Sequence, residues 1–228
     1  MKKVLFILAM VVYSISSFAQ KDVTKFLGIP VDGSKSAMIQ KLKGKGFTYH
    51  QTGDYLSGSF NGYDVKVYVV TDNNKVYRIL VEDAVPCSES DIKIRFNRLV
   101  HQFEKNDNYN HTFDTNQAIP EEDDISFQMS VNSKRYEASF HQKLNINSQD
   151  SIQLSDNLRN HLLAKYTEQQ LEDTTETVRN SVLMDTMKYL YDILSKKTVW
   201  FMINENWGSY KILMYYDNKK NQADGEDL

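Results

Sequence analysis

The spacing of apolar positions changes period early in the chain, and that change organises the rest. Between Asp32 and Gly46, Met38 and Leu42 stand four apart, which gives one narrow apolar helix face. Asp32 and Ser34 can accept hydrogen bonds from the free N–H groups of a first helical turn. Pro30 keeps the helix from starting sooner, and Gly44 and Gly46 can close it. Lys41, Lys43 and Lys45 suit the negative end of its dipole. From Phe47 the period is two, the signature of strands. Phe47–Gln51, Tyr55–Phe60, Tyr63–Thr71 and Lys75–Glu82 are predicted strands, with turns at Thr52-Gly53-Asp54, Asn61-Gly62 and Asp72-Asn73-Asn74. Asn-Gly is a strong hairpin signal, and connections this short force antiparallel neighbours. The pattern predicts a helix and a four-stranded meander, with Tyr63, Val65, Val67 and Val69 on one face.

The second half repeats the order loosely. Ser88 can cap a helix in which Ile92, Phe96, Leu99 and Phe103 form an apolar stripe, leaving Arg95, Arg98 and Lys105 on other faces. The helix should run to about Lys105. Asn106–Asp124 is polar and aperiodic and reads as a surface loop. Ile125–Val131 alternates and is predicted as a strand, joined through Asn132-Ser133-Lys134 to a second strand at Arg135–Lys143. Leu144–Lys197 then returns to helical spacing, with one helix marked by Leu158, Leu162 and Tyr166 and another by Leu183, Met187, Leu190 and Leu194. Thr198–Asn204 and Ser209–Tyr216 predict a last hairpin around Glu205-Asn206-Trp207-Gly208. The expected class is α+β: antiparallel meander sheet with helices on one face, as two helix-plus-four-strand units with a helical insertion in the second. The units would be 20–86 and 87–228, packed as one body, with the insertion at about 144–197. No residue-level repeat links them.

The N-terminus changes where this fold is expected to work. Lys2-Lys3 precedes an apolar run, Val4–Tyr13, and Ser17-Phe18-Ala19 supplies small residues at the two cleavage-site positions. This is the pattern of a secretory leader cut after Ala19, too short for a span of roughly 20 apolar residues. The mature chain is expected to be periplasmic or extracellular, with no stable membrane insertion. Of 27 basic residues, two belong to the leader, so 25 face 30 acidic ones, a formal charge of −5. That balance gives no reason to seek nucleic acid. Cys87 is the only cysteine, so no internal disulfide can form and the core must supply the stability.

The chain carries few signatures of chemistry. His50, His101, His111, His141 and His161 show no metal-ligand spacing, and there is no nucleophile elbow or phosphate-binding glycine loop. Cys87 would need a histidine beside it to act as a nucleophile; as a small apolar residue at a helix entrance it needs nothing. The carboxylates of Glu121–Asp124 and Asp217–Asp227 could serve hydrolysis or calcium, or simply be solvated. No catalytic residue, metal site or cofactor is assigned. Aromatic content is the feature above background, with 14 Tyr, 11 Phe and 2 Trp. Trp200, Trp207, Tyr210, Tyr215 and Tyr216 gather in the last hairpin. Strands favour aromatics, so packing explains them; an exposed binding face is the functional alternative. Trp207, Tyr210 and Trp200 are the candidate binding residues.

Phe26-Leu27-Gly28-Ile29-Pro30-Val31-Asp32-Gly33-Ser34-Lys35, with Met38-Ile39 and Lys45-Gly46-Phe47, resembles a group of uncharacterised exported proteins of Bacteroidetes-type bacteria. The closing Tyr215-Tyr216-Asp217-Asn218, Asn221 and Ala223–Leu228 is similar to their ends. These motifs bracket the mature chain, while Leu144–Lys197 has no counterpart. The group carries no activity to transfer. The helix-then-meander order also resembles β-lactamase-inhibitor-protein-like folds, including small outer-membrane assembly lipoproteins, though the lipid-anchoring cysteine is missing here. The expectation is a non-catalytic exported binding or accessory protein for a protein or surface-polymer partner. The alternative is a hydrolase whose carboxylates assemble only in the fold, such as Glu121–Asp124 with His141.

Overall fold

The computed structural model describes residues 22–111, 117–144, 148–172 and 175–222. The expected leader at 1–19, part of the 106–124 loop and the acidic tail from 223 lie outside them. The chain enters through a two-strand hairpin, β1 (Lys25–Phe26) and β2 (Ile29–Pro30), turned by Leu27 and Gly28, both at positive φ. Helix α1 (Lys35–Lys43) follows, capped by the Ser34 hydroxyl, which accepts from Ala37 N. Its buried side chains are Met38 and Leu42, the pair expected from the spacing.

Strands β3 (Thr48–His50), β4 (Tyr55–Phe60), β5 (Tyr63–Asp72) and β6 (Lys75–Asp83) form the predicted meander. Asn61-Gly62 and Asn73-Asn74 turn with positive φ throughout, the geometry whose twist matches antiparallel strands. A bulge opposite Val70 and Thr71 leaves Tyr77 as the extra residue in β6. It lets Val76 and Ile79, three apart, both face the core.

Helix α2 (Glu89–Glu104) begins at Ser88, whose hydroxyl accepts from Asp91 N, and it ends at Lys105 as expected. Ile92, Phe96, Leu99 and Phe103 are all buried. Arg95 is too, although the spacing puts it off the apolar stripe. Its guanidinium forms a two-pronged pair with Asp83 and lies 3.3 Å from the Tyr63 ring centroid. The periodicity placed Arg95 near the stripe's edge; the acid at the end of β6 draws it in.

Two further expectations fail together. Ile125–Val131 is not a strand but helix α3 (Ile125–Ser130), and Asn132–Lys134 is a helix-to-strand turn. The Asp124 carboxylate accepts from Phe127 N, Glu89 accepts from Ile125 N, and only Ile125 is buried. Two acceptors at the first turn outweigh a four-residue alternation that buries nothing else. The vacant sheet position is taken by β7 (Tyr109–His111), from the segment read as loop, which pairs with β8 (Glu137–Gln142). The insertion holds α4 (Ser148–Leu163), α5 (Glu168–Glu172) and α6 (Glu176–Ser195), which pack mainly on one another. None of the described helices is long and apolar enough to cross a membrane.

Strands β9 (Thr198–Asn206) and β10 (Ser209–Asp217) complete one eight-stranded antiparallel sheet, ordered β3-β4-β5-β6-β10-β9-β8-β7. Each half therefore contributes four strands to the sheet and one helix, α1 or α2, that packs on its core face, and the last strands of the halves meet at the centre. The expected α+β class with an antiparallel sheet stands. Helices α1 and α2 cover one face, over Val65, Val67 and Val69 of β5, Ile79 and Val81 of β6, and Tyr210, Ile212 and Met214 of β10. At the seam Asp83 Oδ2 also accepts from Ile212 N at 3.0 Å, so one carboxylate ties β6, β10 and α2. Replacing Arg95 by Leu would strand this buried carboxylate. Urea unfolding should show a loss of about 3–5 kcal/mol.

Candidate binding surface

Alternation along each strand sends every second side chain to the face that α1 and α2 leave uncovered. Cross-strand register then fixes which of these meet. Tyr68 and Tyr215 both sit opposite Leu80, and Tyr215 sits opposite Trp200. Tyr55 adjoins Tyr68, with ring centroids 5.9 Å apart. The result is a lane of Tyr55, Tyr68, Leu80, Tyr215 and Trp200 across five strands, about 19 Å at ordinary strand spacing. Trp200 and Tyr215 stack at 4.0 Å with their planes 11° apart. All five lane residues are half-buried.

Charges flank the lane, and each has a partner. Arg78 forms a bidentate pair with Asp217 at 2.6 and 2.8 Å, and its guanidinium lies 4.9 Å from the Tyr215 ring centroid. Trp200 Nε1 donates to the same carboxylate at 2.9 Å. Donating to Asp217 holds the Arg78 guanidinium's pKa above its ordinary value. On the other side Lys211 bonds Glu82 at 2.8 Å, and Tyr68 donates to Glu82 at 3.2 Å. Burial, then the Glu82 charge, pushes the Tyr68 phenol up; burial does the same at Tyr215. Both are neutral hydroxyls at neutral pH.

Trp207 stands at the tip of the β9–β10 hairpin with φ 53° and is 96% exposed. It overhangs a groove of about 410 Å3 whose lining includes Glu82, Asn204 and Lys211, residues of the uncovered face. Trp207 and Trp200 thus belong to one surface. Tyr210 does not: it points into the core and is 2% exposed, so it leaves the candidate set. Tyr215 is the register partner of Trp200, and Tyr210 stands an odd five positions from Tyr215, so Tyr210 and Trp200 face opposite ways. Leu80, Arg78 and Tyr68 were missed because a sequence shows alternation within one strand, not which strands neighbour it. Tyr68 and Tyr55 carried a faint signal as aromatics opposite the valine face.

The other candidates are accounted for by structure. Glu121–Asp124 and His141 are not brought together. Asp123 bonds Lys134 and Tyr136 at the start of β8, and Asp124 caps α3. His141 is five residues further along, roughly 17 Å, on the opposite face from Tyr136. Among the described residues no group of three or more His, Cys, Asp or Glu could hold a metal. The Cys87 backbone bridges Tyr210, and burial pushes its thiol above the ordinary range, away from thiolate chemistry. Asp217 is taken by Arg78, and Asn218 is fully buried with its amide on Val31 O; Asp224 and Asp227 lie outside the described residues.

No family model, no curated protein and no solved structure matches the chain.

Burial, with a smaller contribution from His111, holds the His141 imidazole's pKa below its ordinary 6.5. Between the folded and unfolded values the unfolded chain binds the extra proton, so stability is full above about pH 6.5 and falls as pH drops through that window. Denaturant midpoints measured from pH 7.5 to 5 should decline more steeply for the wild type than for His141→Gln.

Proposed function

We propose that the chain is an exported, non-catalytic binding protein that uses the uncovered face of its sheet to hold a protein or surface-polymer partner. The observation that carries this reading is the lane from Tyr55 to Trp200, half-exposed on a face that neither α1 nor α2 covers. Tyr, Trp, Met and Arg are the residues most enriched where proteins bury surface on association, and large aromatics dominate the energetics of such contacts. Met202 and Leu213 extend the apolar area beside the lane, opposite one another in register. Because Arg78 and Glu82 already have partners, covering them does not strand a charge. Trp207, at the rim, suits a peripheral anchor. The leader pattern and the resemblance to exported proteins of Bacteroidetes-type bacteria support the location.

The test uses protein recovered from the periplasm or culture fluid, its intact mass beginning at Gln20, as bait for lightly crosslinked envelope fractions. A single stoichiometric partner should be retained by the wild type and by Gln40→Ala on the exposed side of α1. Retention should drop about tenfold or more in Trp200→Ala, the scale of one lost hot-spot residue. Trp207→Ala should weaken it less, while leaving stability within about 0.5 kcal/mol. Equal retention by all variants would remove the sheet face from consideration.

A further inference from the structure

A second recognition site lies on the other side of the sheet, and we propose that it binds a small organic anion: a carboxylate carried on an apolar body. The site is a cleft of about 750 Å3 between the N-terminal hairpin, the C-terminal half of α2 and the core face of β10. That size falls within the usual range for small-molecule sites.

Its walls set the ligand's body. Leu27 of the hairpin, Phe60 at the end of β4, Leu99 and Phe103 of α2 and Met214 of β10 all line it. Phe103 is held by Tyr109 at 4.7 Å and Phe140 at 4.8 Å, so this wall is packed from behind. An apolar ligand would meet a formed surface.

Its floor sets the ligand's head. Gln142 uses its side-chain amide as a strand would: Oε1 accepts from Lys25 N at 2.7 Å and Nε2 donates to Lys25 O at 2.7 Å. That double contact fixes which end of the amide is which. Nε2 therefore donates to the Tyr109 hydroxyl at 3.1 Å. A phenol oxygen accepts two hydrogen bonds and donates one. Tyr109 accepts from Gln142, and among the described residues its hydroxyl donates to no protein acceptor, so it has a proton to offer on a side chain that lines the cleft. It calls for an acceptor.

The rim agrees in sign. Lys25, Lys143 and Lys197 line the cleft against one acid, Asp22. Lys197 is pinned to Asp22 at 2.7 Å and to Lys143 O at 2.8 Å. Lys25 and Lys143 form no ion pair among the described residues. A negatively charged head entering here meets two uncompensated ammonium groups and the Tyr109 hydroxyl. A neutral or cationic head meets neither need.

Decanoate titrated into the purified protein by calorimetry is the direct test, with decanol and decylammonium as the neutral and cationic probes. Decanoate should bind one equivalent, about tenfold or more tighter than either comparison probe. Lys25→Gln combined with Lys143→Gln should weaken decanoate by about tenfold and leave decanol unchanged. Gln102→Trp, an exposed position on the cleft wall, should block all binding without moving the melting temperature, and Trp200→Ala should have no effect. No decanoate binding at millimolar concentration, or binding that survives Gln102→Trp, would overturn the proposal. Decanol binding as tightly as decanoate would overturn it equally, since the head group would then carry no recognition.

Discussion

The pairing of β6 with β10 is the contact on which the rest of the architecture depends. Five registered pairs, from Leu213 with Glu82 to Asp217 with Arg78, join the closing strands of two meanders that otherwise run outward in opposite directions. This single seam converts two four-stranded halves, each with one helix on its core face, into one eight-stranded sheet. Asp83 guards it from the core side by holding Arg95 of α2 and the Ile212 amide together. A charge pair so enclosed is not cheap, and its value lies more in fixing register than in raw stability. A slip of one residue would exchange the two faces of β10 and send Tyr215 inward.

Register at the seam also determines both candidate sites. It places Tyr215 between Leu80 and Trp200, and Arg78 against Asp217, so the aromatic lane and its flanking ion pair exist only when the halves are joined correctly. On the opposite face it presents Met214 and Tyr216 to the space beside α2. The N-terminal hairpin closes that space because the first described segment is tied to the residues that follow β10. Thr24 donates to Asp217 O, Asn218 donates to Val31 O, and Lys220 reaches Asp22 O. The cleft is thus a product of the closure, while the lane is a product of the seam.

The first half was readable from sequence almost residue by residue, because its signals are local. Ser34, Asn61-Gly62 and Asn73-Asn74 each fix their own turn, and the valines of β5 declare a face. The second half was readable only where the periodic run was long, as in α2 and the β9–β10 hairpin. Ile125–Val131 misled because alternation over four apolar residues cannot compete with Asp124 and Glu89 at a helix start. Strand β7 is three residues long and carries no pattern; it is a strand because β8 offers it an edge. The candidate sites were legible only in part. Trp200 and Trp207 stand out as tryptophans in a hairpin, but Leu80, Arg78 and Tyr109 gain meaning only from neighbours far away in the chain.

In the proposed function the sheet's uncovered face, rather than the helix-covered side, meets the partner. Site-specific photo-crosslinking addresses it most directly. A benzophenone amino acid at Leu213, between Glu82 and Met202 in register, would be compared with one at the exposed Gln40 of α1, each irradiated with envelope fractions. The account predicts a discrete adduct from Leu213 and none from Gln40. Adducts from Gln40 alone, or of equal yield from both positions, would contradict it.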